Sequence, residues 1–423
     1  MKSNLMPPWR KQTTRLTRIK SNKKLIKYLL VGLVAIFSII IFALFVKFLT
    51  FYNSIHTEVS ATSQTVKQEE KTEYTFLLLG YGGGKHEGTY LTDTIMVANI
   101  NLKTKKVLLL SIPRDVWVKV PTIESPFYSK INAVYQMGLF PKNYPDVDRS
   151  LLSEDNASGL LKKVVTDITG LNIDAFAAID FQGFVKVVDN LGGLEINVKK
   201  SFTDYEYPIE DKEDDLCGRD EEFAQIEPVI NKTISEEDKQ RLFEEKPDLA
   251  KFYDDIIYHP QVAFPCRFED LTFEKGVQQM DGETALKYAR SRHSAEDGGD
   301  FNRAQRQQNV INALSSKVIN IGFIPKIPSL LDELEKHIVT DLPLVDLNKF
   351  LLEARNYNQY KLEMLVLDDK FMTDGYADYG GYIVYPKEGI GKWNTIRKTI
   401  YDMKNSISPT PKILSPTPIN MAK

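Results

Sequence analysis

The chain has 423 residues, 43% of them hydrophobic and two of them cysteines, which is enough for one large domain or two ordinary ones. This composition excludes a disordered or collagen-like chain. The formal charge of −3 hides an asymmetry, because residues 1–27 hold nine Lys and Arg and no acidic residue, while the remainder carries −12.

An uncharged apolar run at residues 28–46 (YLLVGLVAIFSIIIFALFV) follows the basic segment. In a helix, a run of this length crosses about 30 Å of hydrocarbon. The positive-inside rule then places residues 1–27 in the cytoplasm as a basic tail, residues 28–52 in the cell membrane as a single-pass signal-anchor helix, and the main domain outside. A buried core helix and a cleaved signal peptide are the alternatives. The basic segment and the apolar run are both longer than those of a typical signal peptide.

The remaining chain divides by composition. Residues 53–73 are polar without apolar periodicity, as in a stalk. Residues 405–423 form a tail rich in Pro, Ser and Thr, with SPTP at 408–411 and again at 415–418. The folded domain is therefore predicted between residues 74 and 404.

The first half of this domain alternates predicted strands with predicted helices. In chain order the runs predict strands at 74–80, 94–100 and 106–112, a helix at 158–170, a strand at 175–180, a helix at 181–190 and a strand at 192–198. This alternation predicts an α/β fold with one sheet flanked by helices, an α-β-α sandwich.

An acidic insertion interrupts the pattern at about residues 205–270. It contains 20 acidic and 8 basic residues, which accounts for the whole negative excess outside the basic tail. Both cysteines, Cys217 and Cys266, lie within it. In an exported protein they most simply form one disulfide, with two free thiols as the alternative. A zinc site is disfavoured, because neither belongs to a CxxC pair and His259 is the one nearby histidine.

The first candidate functional cluster is the glycine-rich segment GYGGGKHEG at 80–88, with Asp93 in the TDT that opens the next strand. Successive glycines let backbone N–H groups approach a phosphate. The segment is not a Walker A loop, because His86 stands where Ser or Thr would follow the lysine. A flexible hairpin loop is the alternative.

The second cluster is SIPRD at 111–115, at the carboxyl end of a predicted strand. Ligands of α/β sheets commonly bind at such ends, so Arg114 is a candidate for anion binding. The alternative is a local ion pair between Arg114 and Asp115.

The third cluster is ALKYARSRHS at 285–294 followed by DGGDFNRAQRQQNVINALSSKV at 297–318. Asp300 is a plausible N-cap of the second segment. The cluster's candidate anion-binding side chains are Arg290, Arg292, Arg303, Arg306 and Gln307. Two guanidinium groups at a helix amino terminus suit a phosphate or pyrophosphate, whereas the alternative for any single arginine is a solvated side chain. Nucleic acid is excluded as a partner, because the exported part is net acidic.

In combination, the motifs LLLG, LTDT, LLLSIPRD, KINAVYQMG, DGETALKYARSRHS and DFNRAQRQQ resemble the LytR-CpsA-Psr (LCP) family of bacterial envelope proteins, whose domain is also named a cell envelope-related transcriptional attenuator. The resemblance covers about Tyr74 to Val318, apart from the insertion. It implies an α-β-α sandwich with a hydrophobic pocket for a lipid chain. The early name of the family as transcriptional attenuators fits poorly with an exported domain that has no DNA-binding feature.

The activity that the resemblance implies is a phosphotransferase of cell wall biogenesis. Family members take a glycopolymer, such as teichoic acid or capsule, from a polyprenyl-pyrophosphate carrier and transfer it as a phosphodiester to peptidoglycan. The implied cofactor is Mg²⁺. The implied partners are the lipid-linked glycopolymer, peptidoglycan and the membrane.

The resemblance also implies roles for individual residues. Asp93 matches the essential aspartate that works with the metal, and Asn132 and Lys130 belong to the KINAVY turn. Asp93, Arg114, Arg290 and Arg292 are accordingly the candidate catalytic residues. The candidate pyrophosphate-binding residues are Arg114, Lys130, Arg290, Arg292, Arg303, Arg306 and Gln307.

One departure from the family pattern concerns the first strand. Many members have an aspartate in an LLxGxD pattern there, whereas this chain continues into Gly80 and Tyr81 and has no acid before Glu87. His86 or Glu87 is the candidate replacement, so the mode of metal binding stays open. Two further hypotheses are a non-catalytic receptor or scaffold for polyprenyl-pyrophosphate-linked glycans and a lipid pyrophosphate hydrolase.

Overall fold

A computed structural model describes residues 42–57, 71–84, 88–153, 156–320 and 333–405. The predicted basic tail, most of the predicted anchor and stalk, and the tail after residue 405 lie outside these ranges. Contacts divide the chain into two units, residues 1–50 and 51–423. The described part of the first unit is helical, and this helix, α1, covers residues 42–55. No helix within the described ranges is both long enough and apolar enough to span a bilayer.

The second unit is a mixed α/β domain. Its strands are β1 (Glu73–Tyr81), β2 (Thr92–Asn101), β3 (Lys106–Ser111), β4 (Trp117–Lys119), β5 (Tyr128–Lys130), β6 (Ala175–Asp180), β7 (Leu194–Val198), β8 (Phe202–Pro208), β9 (Phe268–Phe273), β10 (Gly276–Met280), β11 (Ile338–Thr340), β12 (Lys361–Val366), β13 (Met372–Tyr376) and β14 (Tyr382–Pro386). Its helices are α2 (Asn132–Leu139), α3 (Gly159–Thr169), α4 (Phe181–Asn190), α5 (Asp220–Ile230), α6 (Glu236–Glu245), α7 (Pro247–Tyr258), α8 (Pro260–Ala263), α9 (Gly282–Arg290), α10 (Asp300–Asn320), α11 (Leu344–Glu353) and α12 (Asn394–Asn405).

The central sheet has six strands in the order β11-β6-β1-β2-β3-β12. β6 is parallel to β1 and β12 is parallel to β3, whereas β2 and β11 run in the opposite direction. The carboxyl ends of β1, β3, β6 and β12 therefore meet the amino ends of β2 and β11 at one edge. We call this edge the site edge.

Helices cover both faces of the sheet, which agrees with the continuous burial of the central strand β2 from Ile95 to Asn99. On one face, Leu77 and Leu79 belong to the largest core cluster, to which α2, α3 and α12 contribute Val134, Leu161 and Ile396. On the other face, Met96, Ala98 and Leu109 pack with Leu78 and with Ile311 of α10. The structure is thus the predicted sandwich of one sheet between helices.

A smaller core lies beside the sandwich. It is built from the β7–β10 and β8–β9 pairs together with α4, α9 and α10. Phe202, Phe273 and Tyr288 form its centre, with ring centroids 5.1–6.2 Å apart. The predicted strand at 192–198 is present as β7, but it pairs with β10 outside the central sheet.

The two ends of the acidic insertion lie side by side in this smaller layer, because they lie on the antiparallel strands β8 and β9. These strands pair from Phe202↔Phe273 to Pro208↔Phe268. Between these strands α5 to α8 enclose a separate apolar cluster of Ile226, Leu249, Phe252, Ala263 and Phe264. The predicted pairing of the two cysteines is present, as Cys217 and Cys266 form a disulfide.

Candidate active site

Asp93 occupies a β-bulge at the site edge. Gly80 pairs with Thr94 and Tyr81 pairs with Thr92, so Asp93 is the additional residue between two paired positions. Bulges re-aim side chains next to active sites. Here the Asp93 carboxylate lines a large cavity, and its Oδ1 accepts a hydrogen bond from Arg114 Nη1 at 2.5 Å.

Arg114 lies in the turn that follows β3, and hydrogen bonds with a neighbouring backbone segment hold this turn in place. The Arg114 carbonyl accepts from Asn132 N at 3.2 Å, and the Asn132 carbonyl accepts from Thr92 Oγ1 at 3.2 Å. The KINAVY turn therefore ties the Arg114 turn to the start of β2. It holds Arg114 beside the bulge that presents Asp93.

Asp115 is a buried carboxylate that binds two cations. Its Oδ1 accepts from Lys130 Nζ at 2.6 Å, and its Oδ2 lies 3.4 Å from Arg114 Nε. Burial acts to raise its pKa, but the two cations outweigh burial and lower the pKa. Lys130, an expected pyrophosphate ligand, does not line the cavity. It contacts Asp115, which in turn contacts Arg114 of the Asp93–Arg114 pair.

α10 brings Arg303 and Gln307 to the same place. Gln308 Nε2 donates to Ser111 Oγ and to the Leu365 carbonyl, both at 2.9 Å, which fastens α10 to the ends of β3 and β12. Gln307 Nε2 then lies 3.4 Å from the Asp93 carbonyl. Burial lowers the pKa of Arg303, which is only 4% exposed and pairs with Asp300.

The segment after α9 carries Arg290 and Arg292, and Asp204 orders it. The buried Asp204 carboxylate accepts from Ser291 Oγ at 2.7 Å, Arg292 N at 2.9 Å and His293 N at 3.1 Å. Sequence reasoning missed Asp204. Its only signal was an acidic residue at an inward position of a strand, since burial alternates along Phe202–Pro208.

Arg306 differs from the expectation for a pyrophosphate ligand. It is 2% exposed, it does not line the cavity, and all three guanidinium nitrogens donate to protein oxygens. The acceptors are the carbonyls of Tyr288, Ser291 and Asp297 and the Asp297 carboxylate. The physical reason is burial with four of the five N–H donors bound to protein oxygens, so Arg306 stabilises the segment that carries Arg290 and Arg292.

A cavity of about 910 Å³ lies beside these groups, between the sheet, α4, α9 and α10. Asp93, Arg114 and Arg303 line it together with Arg290, Arg292 and Gln307. The rest of its lining is largely apolar and includes Met96, Ala177, Phe184, Leu286, Val310 and Leu314. Tyr207 and Pro208 at the start of the insertion, and Pro260 and Phe268 near its end, also line the cavity.

Sequence reasoning also missed Asp180, which lines the cavity at the end of β6. Asp180 pairs in register with Tyr81 and caps α4 through Gly183 N at 2.7 Å. His337 Nδ1 lies 2.8 Å from its Oδ2. The Asp180 side chain packs closely against Gly83, because a Cβ atom added at Gly83 would lie 3.0 Å from Asp180 Cβ. The Asp180 carboxylate at the end of β6 therefore lies beside the loop that follows β1. His86 and Glu87, the expected replacements, lie outside the described residues.

The Asp93 carboxylate is a suitable ligand for a metal ion that also binds phosphate. Within the described ranges, the one close group of three His, Cys, Asp or Glu side chains is Asp215, Cys217 and Cys266, and its cysteines form the disulfide. Asp93 thus offers a carboxylate in an open cavity rather than a closed cage of ligands. Mg²⁺ is commonly held by one or two carboxylates plus phosphate oxygens and water, so the residues present fit Mg²⁺.

Comparison with known proteins adds a family match, since the model of the LytR_cpsA_psr family matches residues 44–395. The regulatory protein MsrR of Staphylococcus aureus (strain Mu50) is 25% identical over 269 residues, which cover 63% of this chain and 56% of MsrR. The polyisoprenyl-teichoic acid–peptidoglycan teichoic acid transferase TagV of Bacillus subtilis (strain 168) is 23% identical over 255 residues, or 60% of this chain and 46% of TagV. The chain spans about half the length of these curated relatives.

Among solved structures, the crystal structure of B. subtilis TagV aligns with a TM-score of 0.49 and 20% sequence identity. The alignment covers 79% of this chain and 98% of the TagV chain.

Proposed function

The chain belongs to the LytR-CpsA-Psr family, and from this premise we propose that it is a membrane-anchored phosphotransferase of cell wall assembly. It moves a glycopolymer from a polyprenyl-pyrophosphate carrier to a hydroxyl of peptidoglycan. The observation that carries the proposal is the Asp93–Arg114 pair, with Arg303 and Gln307 beside it, lining an apolar cavity of about 910 Å³. TagV, a family relative, is named for a transfer of this type.

The apolar lining is the part that receives the polyprenyl chain. Each methylene group that leaves water for such a lining contributes about 0.8 kcal/mol. Met96, Phe184 and Leu314 come from the sheet, α4 and α10, so the chain would be held between layers of the sandwich.

The guanidinium groups are the part that binds the pyrophosphate. Displacement at phosphorus builds negative charge on the equatorial and leaving oxygens, so donors that are already fixed in place lower the barrier. Arg114 is fixed by the KINAVY turn and Arg303 by α10, while Asp204 orders the backbone that carries Arg292.

Asp93 and Asp180 are the candidate general bases for the acceptor hydroxyl. Asp93 lies in contact with Arg114, and Asp180 lies on β6 with its carboxylate oriented by His337 and Gly183 N. Either carboxylate can accept the proton that the attacking hydroxyl loses. Asp93 is also the residue that would hold Mg²⁺, whose chemistry there would be to neutralise charge on the pyrophosphate oxygens.

The cellular arrangement is part of the proposal and rests on the sequence. Residues 1–27 are basic and residues 28–46 are uncharged and apolar. This order supports a cytoplasmic amino terminus, an anchor at residues 28–52 and a catalytic domain outside the membrane, where peptidoglycan is located.

The test is a transfer assay with the full-length protein in detergent, a polyprenyl-pyrophosphate-linked oligosaccharide, peptidoglycan fragments and Mg²⁺. We expect the wild-type protein to form the coupled product, and Asp93→Ala to lower the rate by about 100-fold or more, as loss of an essential acid does. Asp93 is part-exposed, so the circular dichroism spectrum should not change. Asp167→Ala, which removes an exposed carboxylate on α3, is the matched control.

Three other outcomes would contradict the proposal. Wild-type turnover by Asp93→Ala removes the role of that carboxylate. Tight binding of the lipid-linked oligosaccharide without any product identifies a receptor or scaffold. Release of free glycan phosphate without coupling identifies a lipid pyrophosphate hydrolase.

A further inference from the structure

Two hairpins beside the candidate active site carry a group of aromatic side chains, of which Trp117 is half-buried and the others are exposed. The β4–β5 hairpin carries Trp117 and Tyr128, and the β13–β14 hairpin carries Tyr376, Tyr379 and Tyr382. We call these five residues the aromatic shelf. Tyr376 is 75% exposed and Tyr379 is 67% exposed. Contiguous exposed apolar patches on a soluble domain commonly mark a binding surface.

The rings of the shelf lie close enough to one another to form a surface. The Trp117 and Tyr128 centroids are 6.2 Å apart with 18° between the ring planes, and Tyr379 at the tip of its hairpin lies 6.0 Å from Trp117. Tyr376 and Tyr382 pair across β13 and β14 at 6.4 Å. Trp117, Tyr128 and Tyr379 thus form one patch from two hairpins, and Tyr376 and Tyr382 add a second ring pair on the β13–β14 hairpin.

Backbone and side-chain bonds connect the shelf to the Arg114 turn. Val384 N donates to the Asp115 carbonyl at 3.0 Å, which joins the β13–β14 hairpin to that turn. Trp117 pairs with Lys130, whose Nζ binds the Asp115 carboxylate at 2.6 Å. Burial, followed by the carboxylate of Asp374 on the same hairpin, raises the pKa of Tyr382.

The shelf and the cavity are different surfaces. None of the five shelf residues lines the cavity, although Arg114 does. A glycopolymer donor whose lipid chain fills the cavity therefore leaves the shelf free as a second surface connected to the Arg114 turn. The second substrate of a transfer reaction needs such an approach.

The chemistry of the shelf fits a sugar. A pyranose ring presents apolar C–H faces that stack on aromatic rings and hydroxyl edges that hydrogen-bond to carboxylates. Asp374 and Asp378 are exposed on the β13–β14 hairpin and provide such acceptors. The same carboxylates would be repelled by an anionic bilayer surface, so the charge favours a glycan over a membrane.

We propose that the aromatic shelf is the binding site for the acceptor glycan, with sugar rings of peptidoglycan stacked on Trp117 and Tyr379. This inference rests on the proposed function and assigns its second substrate. The hydroxyl to be modified would then approach Arg114 from the shelf, while the pyrophosphate approaches it from the cavity.

The binding test uses the full-length protein in detergent and a soluble peptidoglycan tetrasaccharide, with affinity measured by isothermal titration calorimetry. We expect Trp117→Ala and Tyr379→Ala each to weaken binding about tenfold, because each removes one stacked aromatic face. Tyr379→Phe keeps the ring and should restore most of the affinity. Tyr401→Ala on α12 is the matched control, because Tyr401 is also 67% exposed and lies on a different element.

The kinetic test separates acceptor binding from chemistry. In the transfer assay, Tyr379→Ala should raise KM for the acceptor about tenfold and leave kcat and KM for the lipid donor unchanged. If the wild-type protein binds the tetrasaccharide through the shelf but forms no coupled product, the proposed function fails and the shelf assignment stands.

Several results would overturn the shelf assignment itself. They are no measurable binding of the tetrasaccharide by the wild-type protein, equal affinity in Tyr379→Ala and wild type, or an unchanged acceptor KM in an active enzyme. Loss of phosphatidylglycerol vesicle binding in Tyr379→Ala, with glycan affinity unchanged, would assign the shelf to the bilayer instead.

Discussion

Arg303 and Arg306 are three residues apart at the start of α10, yet the structure gives their guanidinium groups different environments. Arg303 lines the cavity and pairs with Asp300, whereas Arg306 donates to the carbonyls of Tyr288, Ser291 and Asp297. A buried guanidinium with four of its five N–H donors bound inside the protein cannot offer a phosphate the two parallel hydrogen bonds of a bidentate contact. Residue type and spacing alone therefore overestimate the number of anion ligands.

This difference predicts opposite effects for two arginines. Arg306→Ala should lower the free energy of unfolding by about 3–5 kcal/mol, because buried carbonyls and the Asp297 carboxylate lose their partner. Arg292→Ala should change it by less than about 0.5 kcal/mol and yet reduce transfer, because Arg292 is part-exposed in the cavity. Urea unfolding and the transfer assay measure the two effects. Equal losses of stability in the two variants would contradict these assignments.

At the scale of elements, each functional residue is placed by a local irregularity or a tie between elements. The bulge in β2 presents Asp93, the α2 amino terminus holds the Arg114 turn, and Gln308 fastens α10 to the sheet. The acidic insertion is a further element with its own apolar cluster, and it reaches the cavity through Pro260 and Phe268. Its small core makes it depend on the cross-link between its ends.

The disulfide should therefore dominate the stability of the insertion. Cys217 and Cys266 are 49 residues apart, and in the chain-entropy model a loop of that length contributes roughly 4 kcal/mol. In the double variant Cys217→Ser, Cys266→Ser we expect proteolysis to cleave the insertion much faster, while amide exchange in the central sheet stays slow. Cleavage at the wild-type rate would show that the apolar cluster is sufficient without the cross-link.

At the scale of the whole molecule, the sandwich leaves a gap between its layers rather than filling it. The sheet face opposite α2 and α3 is only partly covered by α10, and the cavity of about 910 Å³ occupies the remaining space. A well-packed core holds few voids larger than a water molecule, so a gap of this size marks a place for a ligand.

Filling the gap should block long-chain donors selectively. Ala177 lies on β6 and lines the cavity, so Ala177→Trp would place an indole where the lipid chain is proposed to bind. We expect KM for a long polyprenyl donor to rise at least about tenfold and KM for a short-chain donor to rise less, since fewer methylene groups are displaced. Ala224→Trp, on the exposed face of α5, controls for the added indole. An equal rise for both donors would place the chain elsewhere.

The sequence by itself determined the elements and the composition of the candidate site. Short apolar runs bounded by glycine or polar turns predicted the strands β1 to β3, and apolar residues at helical spacing predicted the helices α3 and α4. The positions of the arginines at a strand end and at a helix amino terminus marked Arg114, Arg292 and Arg303 as candidate anion ligands, whereas the family resemblance implied the role of Asp93. The two cysteines in one segment that the sequence predicts to be exported predicted their pairing.

Only the tertiary structure decided which of these residues meet and which additional ones join them. Asp204 orders a segment about 90 residues further along the chain, and His337 orients Asp180 from 157 residues away. No local sequence pattern encodes such contacts, because they form between segments that are far apart in the sequence and meet only in the folded domain. The cavity and the aromatic shelf are likewise properties of distant segments packed together, which is why periodicity and motif spacing could predict neither of them.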